Sequence, residues 1–174
     1  CPAILLHDAR AEAECSYLRA AEPAFGALAG VLPMAGFTSP KLLWLSRHRA
    51  ELHSQIAHVI LPKDYIGLCL HGGLITDPSD AAGTCWLDQR DGTWSDRLCE
   101  ISATDPSWLP ELCPGFEVVG RLTRQAADEL GLPQGVDVVA GAGDAAAGAG
   151  GRGAVTPGDA FLSLGTSGQL FVTS

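Results

Sequence analysis

The sequence has few positive charges and no long apolar run. Its 174 residues include 11 Lys and Arg against 20 Asp and Glu, which gives a net charge of −9. Nucleic acids and anionic membranes attract basic surfaces, so this balance argues against both as main partners. A membrane-spanning helix needs about 18 or more consecutive apolar residues, and because no such run is present none is predicted.

Closely spaced cysteines are also missing. The six cysteines lie at positions 1, 15, 69, 85, 99 and 113, and no two form a C-x-x-C pair. Zinc ligands usually come in such pairs, so we expect no metal cluster. Most of these cysteines stand among apolar residues, which favours reduced thiols in the core of a cytoplasmic protein. The five histidines are scattered, and none pairs with Ser or Cys in a recognisable nucleophile elbow.

The composition that remains is that of a globular domain, with 47% hydrophobic and 18% charged residues. Apolar runs predict strands over 3–7, 57–62 and 136–140, and two more after Pro157. Between them, helices are predicted over 8–23, 39–56, 62–71, 94–102 and 122–131, with Asp8 and Ser39 as N-caps, and 26–39 reads as a loop. The alternation predicts an α/β domain whose sheet is covered by helices.

The segment "VDVVAGAGDAAAGAGGRG" (136–153) reads as a buried strand, a glycine-rich bend and the start of a helix. Gly141, Gly143 and Ala146 have the G-x-G-x-x-A spacing of a dinucleotide loop. Asp144 counts against that interpretation, because a carboxylate at the helix start repels a pyrophosphate. Two other interpretations remain. In one, the glycines only let the helix pack closely on the sheet. In the other, Asp144 is kept ionised by the helix N-terminus and acts as a general base toward an alcohol.

A second candidate site is "SLGTSG" (163–168), where backbone N–H groups and two hydroxyls meet in a tight turn. Such a turn can bind phosphate oxygens, and it can equally be an ordinary hairpin turn. Together with the upstream Asp144 it favours phosphoryl transfer to a small hydroxylated molecule, with Mg²⁺ carried by the nucleotide.

Four segments, in order along nearly the whole chain, resemble the FGGY carbohydrate kinases, and among them most closely the xylulokinases. They are "GFTSPKLLWL", "LPKDYIGLCLHGGLITDPSDAAGTCWLD", "VVAGAGDAAAGAG" and "PGDAFLSLGTSG". The resemblance implies an actin-like fold of two ribonuclease-H-like domains, each with a mixed sheet flanked by helices, and an active site in the cleft between them. Residues 1–157 would be a sugar-binding N-terminal domain without its first strands, and 158–174 the start of an ATP-binding domain.

The resemblance also implies the reaction and its residues. ATP would phosphorylate the terminal hydroxyl of D-xylulose, with Asp144 matching the catalytic aspartate of the family's "GGGDNAAG" block. The family's "LGTSG" turn, which contacts the ATP phosphates, would be Gly165, Thr166 and Ser167. Ala145 would lie at the sugar, where the family usually has an Asn whose amide helps to hold the substrate.

A third implied sugar contact is Asp8, which matches the acid of the family's "WND" segment and can equally be a plain helix cap. Leu6 and His7 replace the Trp and Asn of that segment, so together with Ala145 they leave the identity of the sugar open.

The chain contains neither the family's phosphate-binding D-x-G-T hairpin nor its adenosine-binding part. We therefore expect a fragment that does not turn over ATP when isolated. Two alternatives remain: a non-catalytic actin-like sugar-binding module, and an NAD(P)-dependent oxidoreductase built on the glycine spacing. A homodimer is left open.

Overall fold

The computed structural model describes residues 4–165 and 168–173. The α-helices are α1 (Glu12–Ala21), α2 (Phe25–Ala29), α3 (Thr38–His48), α4 (Ala50–His53), α5 (Pro62–His71), α6 (Pro78–Ala81), α7 (Asp96–Ile101), α8 (Arg124–Leu130) and α9 (Asp144–Gly151). The strands are β1 (Ile75–Thr76), β2 (Leu87–Asp88), β3 (Thr93–Trp94), β4 (Glu111–Leu112), β5 (Val118–Arg121), β6 (Asp137–Val139), β7 (Ala160–Leu164) and β8 (Gly168–Val172). Short 3₁₀ turns lie at Ala82–Thr84 and Pro106–Trp108.

Helices and strands alternate as expected for an α/β chain, but the described strands pair two by two. β1 and β4 are parallel, whereas β2–β3, β5–β6 and β7–β8 are antiparallel. The described strands, each two to five residues long, thus form four separate two-stranded ladders, and β7–β8 consists of the two strands predicted after Pro157.

Two predicted strands and one predicted loop are wrong. Residues 5–8 form a turn in which the Asp8 N–H donates to the Leu5 carbonyl over 3.1 Å, and Leu5 and Leu6 are exposed. Residues 57–61 form neither a helix nor a strand, although Val59 N donates to Trp108 O at 2.9 Å. An apolar run predicts burial, and it forms a strand only where another segment supplies a ladder partner. Helix α2 lies largely in the segment that reads as a loop.

The local signals at helix ends are mostly correct. Pro62 begins α5, and Gly72 ends it in the left-handed region at φ +81°. Ser95 caps α7 by accepting from Leu98 N at 3.4 Å. The predicted cap Ser39 is wrong, because α3 already begins at Thr38. Asp8 does not cap α1, which begins at Glu12, because its carboxylate binds Arg10 instead.

The main core is built by the N-terminal helices, α7 and β2 around the fully buried Trp86. Its indole N–H donates to Ser102 Oγ at 2.8 Å, so the one polar atom of the side chain is satisfied. A second, smaller cluster of Leu122, Ala126 and Ala127 joins α8 to Leu70 of α5. No helix among the described residues is long and apolar enough to cross a membrane.

The described cysteines are free thiols, and three of them are core residues. Cys15, Cys85 and Cys99 are buried, and burial raises the pKa of both Cys85 and Cys99 to about 12. Cys69 is exposed, although its neighbours in the sequence are apolar. It lies on α5, where exposure follows the helical face rather than the composition of the surrounding segment.

Candidate active site

The glycine-rich segment has the predicted path from strand through bend to helix. β6 ends at Val139, the bend occupies Ala140–Gly143, and α9 begins at Asp144. Gly141 has φ +82°, a left-handed conformation that glycine adopts at little cost. The bend is joined to the segment before β5 by backbone bonds from Ala140 N to Glu117 O (3.1 Å) and from Gly141 N to Gly115 O (2.9 Å).

Asp144 is the first residue of the eight-residue helix α9 and its side chain is exposed. One carboxylate oxygen, Oδ1, accepts from Ala145 N at 2.8 Å. The positive end of the helix dipole stabilises a negative charge at this position. An open groove of about 760 Å³ lies beside the bend, lined by small residues of α9 and by Phe116. The carboxylate is therefore accessible at the start of α9.

The far end of the bend is bonded to helix α6. Gly143 N donates to Ser79 Oγ at 3.0 Å, and the Ser79 hydroxyl in turn donates to Asp77 Oδ2. Asp77 is buried and caps α6, because the same oxygen accepts from Ser79 N at 2.8 Å. The start of α9 is thus tied to the start of α6.

The near end of the bend is bonded to a half-buried lysine. Lys63 Nζ lies 2.8 Å from Asp64 Oδ1, 3.1 Å from Asp77 Oδ1 and 3.2 Å from the Ala140 carbonyl oxygen. Both aspartates are buried, so each needs this cation. Burial alone would lower the pKa of Lys63, but its hydrogen bonds with Asp64 and Asp77 outweigh that effect and raise the pKa, which keeps the ammonium charged.

A further carboxylate, Asp80, packs against the bend. A Cβ placed on Gly143 would lie 3.3 Å from Asp80 Cα, so the two backbones are in close contact. Burial raises the pKa of Asp80, the charges of Asp64, Asp77 and Asp144 raise it further, and Lys63 opposes them. Sequence reasoning missed Lys63, Asp77, Ser79 and Asp80 as site residues. Their one local signal is their place at a helix start: Lys63 follows Pro62 of α5, and Asp77, the cap of α6, is followed by Pro78, Ser79 and Asp80.

Asp8 lies in a different environment. Its Oδ2 is 2.6 Å from Arg10 Nη2, and hydrogen bonds from that guanidinium lower the pKa of Asp8 to about 2. The guanidinium carbon of Arg10 lies 4.9 Å from the centre of the Trp44 ring. None of the described hydrogen bonds or ion pairs of Asp8 reaches the Asp144 bend. Leu6 and His7 are exposed beside it.

Of the predicted phosphate-binding turn, the structure describes the two ends. Gly165 is exposed after β7, and Leu164 faces Gly168 in the β7–β8 ladder. Thr166 and Ser167 lie outside the described residues. Within residues 4–165 and 168–173, no group of three or more His, Cys, Asp or Glu side chains is arranged to hold a metal ion.

The FGGY family of carbohydrate kinases, N-terminal domain, matches residues 1–151. The xylulose kinase of Escherichia coli (strain K12) is 46% identical over 173 residues, which cover 99% of this chain and 36% of that protein. The chain therefore spans about a third of the length of the curated relatives it matches.

Two solved structures are similar throughout the chain. A crystal structure of a xyloylose kinase from Brucella ovis superposes with a TM-score of 0.91 at 45% identity, covering 97% of this chain and 34% of that one. A xylulose kinase from Rhodospirillum rubrum superposes with a TM-score of 0.88 at 33% identity, covering 94% and 34%.

Proposed function

The chain belongs to the FGGY family of carbohydrate kinases, and from that premise we propose that its gene product is a cytoplasmic enzyme that phosphorylates D-xylulose at its terminal hydroxyl. MgATP is the phosphoryl donor, and Mg²⁺ arrives with the nucleotide as part of that substrate. We assign residues 1–157 to the sugar-binding domain and 158–174 to the start of the ATP-binding domain. The observation that carries the proposal is the exposed carboxylate of Asp144 at the N-terminus of α9.

In the proposed reaction Asp144 is the general base. Its carboxylate accepts the proton of the terminal hydroxyl while that oxygen forms a bond to the γ-phosphorus of ATP. The bond from the γ-phosphorus to the bridging oxygen breaks, and ADP leaves with that electron pair. The exposure of this carboxylate at the start of α9 supports the role, because a hydroxyl of a substrate can reach it there.

The remaining proposed contacts bind the two substrates. Gly165, Thr166 and Ser167 bind the ATP phosphates through backbone N–H groups and hydroxyls. Asp8 and Ala145 contact the sugar. Ala145 has no side-chain amide where the family usually has Asn, so we expect weaker sugar binding or a preference for a related ketose or polyol.

The test is Asp144→Asn in the full-length gene product, assayed by coupled detection of ADP with D-xylulose. Loss of the base should lower kcat by about 10²- to 10⁴-fold. The affinity for the sugar, measured by calorimetry, should change little because the amide keeps the shape of the side chain. Asp128→Asn, an exposed Asp on α8, is the matched control and should leave kcat unchanged.

Each contrary outcome has a distinct meaning. Unchanged turnover in Asp144→Asn would remove the general-base assignment. Sugar binding by the wild-type protein without phosphorylation would instead identify a non-catalytic module. The isolated 174-residue chain is expected to show no turnover, and robust turnover by it would contradict the assignment of ATP binding to residues beyond it.

A further inference from the structure

We infer that Ser79 is a positioning residue for the catalytic carboxylate, acting through the backbone N–H of Gly143. The inference rests on the proposed function, because it concerns how Asp144 is held for proton transfer. Ser79 itself touches neither the reacting atoms nor the sugar in this scheme. Its role is to fix the residue that immediately precedes Asp144.

The direction of the hydrogen bonds at Ser79 is fixed by chemistry. A hydroxyl has one proton, and an ionised carboxylate can only accept, so the Ser79 proton is donated to Asp77 Oδ2. An oxygen lone pair of Ser79 is then left for Gly143 N, 3.0 Å away. Gly143 is the N-cap residue of α9, and the third residue of the helix, Ala146, has no side-chain acceptor for the Gly143 N–H, so the hydroxyl of Ser79 takes the place that a Glu or Gln has in a capping box.

Asp77 is held in turn by Lys63, and Lys63 holds the other end of the bend. The ammonium lies 3.1 Å from Asp77 Oδ1 and donates to the Ala140 carbonyl at 3.2 Å. One half-buried cation thus holds Ala140 directly and Gly143 through Asp77 and Ser79. The whole bend from Ala140 to Gly143 is clamped at both ends, and the position of Asp144 follows from that clamp.

Removal of the Ser79 hydroxyl should release one end of the clamp without unfolding the protein. The side chain is exposed, and the backbone N–H of residue 79 still donates to Asp77 and keeps the cap of α6. Changes at Lys63 are less informative, because they leave Asp64 and Asp77 buried without their cation and destabilise the fold. Ser79 is therefore the residue at which positioning can be separated from stability.

The experiment compares Ser79→Ala and Ser79→Thr in the full-length gene product. The control is Ser54→Ala, an exposed serine whose hydroxyl donates to the Glu51 carbonyl at 3.2 Å in α4. Because proton transfer is sensitive to displacements of about 1 Å, Ser79→Ala should lower kcat about 10- to 100-fold with KM for MgATP unchanged. Ser79→Thr keeps the hydroxyl and should restore most of the rate, and the control should match the wild type.

Hydrogen exchange at the Gly143 amide gives a readout that does not depend on activity, and it should be about 10-fold faster in Ser79→Ala. Unchanged exchange in Ser79→Ala, or a kcat of that variant within about twofold of wild type, would overturn the inference. Asp144→Asn tests the role of Asp144 independently of that result. A loss of kcat that tracks a fall in melting temperature, with no rescue by Ser79→Thr, would show a structural role and would also overturn it. If Asp144→Asn leaves kcat unchanged, the general-base assignment fails, and the exchange result still decides whether Ser79 holds the bend.

Discussion

The contact between Gly115 and the bend allows a substitution whose effect can be worked out from distances. The Gly115 carbonyl accepts from Gly141 N at 2.9 Å. A Cβ on residue 115 would lie 2.2 Å from the Gly141 carbonyl oxygen and 3.3 Å from its carbon. Both of these atoms are backbone, so no flexible side chain can move aside. Gly115 does not have a positive φ, and Gly115→Ala therefore tests space alone.

Relief of that clash requires the two segments to separate by about 1 Å, which lengthens and weakens the bond from Gly141 to Gly115. Overpacking costs about 1 to 3 kcal/mol and loss of a hydrogen bond about 1 kcal/mol. We therefore expect Gly115→Ala to lower the free energy of unfolding by about 2 to 4 kcal/mol. Because the displaced bend carries Asp144, kcat should also fall, by up to about 100-fold.

Urea unfolding and steady-state kinetics of the same preparations check both values. Gly150→Ala is the matched control, since it lies in α9 with no atom within 4 Å of a new Cβ. It should be neutral or stabilise the protein by up to about 1 kcal/mol through helix propensity. If Gly115→Ala keeps the stability and kcat of the wild type, the reasoning is refuted. It is also refuted if Gly115→Ala and Gly150→Ala lose equal amounts of stability and kcat.

Two further predictions concern residues beside Asp144. Ala145→Asn should lower KM for D-xylulose by about 2- to 10-fold, because an amide at this position can form a neutral hydrogen bond with a sugar hydroxyl. Steady-state kinetics measure the change, and an unchanged KM would count against a sugar at this position. Asp80→Asn should raise the melting temperature at pH 7 to 8. Burial and the neighbouring carboxylates hold the pKa of Asp80 above its ordinary value of 3.8, so the ionised side chain destabilises the folded protein at that pH. The gain should disappear as the pH falls toward 3.8, where folded and unfolded states both become protonated, and a gain that is independent of pH would rule out this electrostatic cause.

The family and the α/β, actin-like fold were predictable from the sequence, and the comparisons confirm both. The features predicted correctly within the chain depend on neighbouring residues. Pro62 and Gly72 delimit α5, Gly131 ends α8, and the run from β6 through the glycines to α9 follows directly from residue order. Each of these signals acts within one helical turn or one bend, so distant parts of the chain have little influence on them.

The surroundings of Asp144 could not be predicted in the same way. Ser79 and Gly143 are 64 residues apart, and Lys63 and Ala140 are 77 apart. No local pattern specifies such pairs, because they form only when α5 and α6 are packed against the bend. The predicted strands at 3–7 and 57–62 failed for the same reason, since a strand requires a partner elsewhere in the chain.

The structure also separates the interpretations of the glycine spacing at Gly141 and Gly143. A dinucleotide loop presents its backbone N–H groups to a pyrophosphate. Here Gly141 N is already bonded to Gly115 O, and Gly143 N to Ser79 Oγ. The N–H groups of both glycines are therefore already occupied by the protein itself, which counts against a pyrophosphate at them. Close packing and a catalytic role for Asp144 are compatible, because the glycines let the bend approach the groups that hold the carboxylate in place.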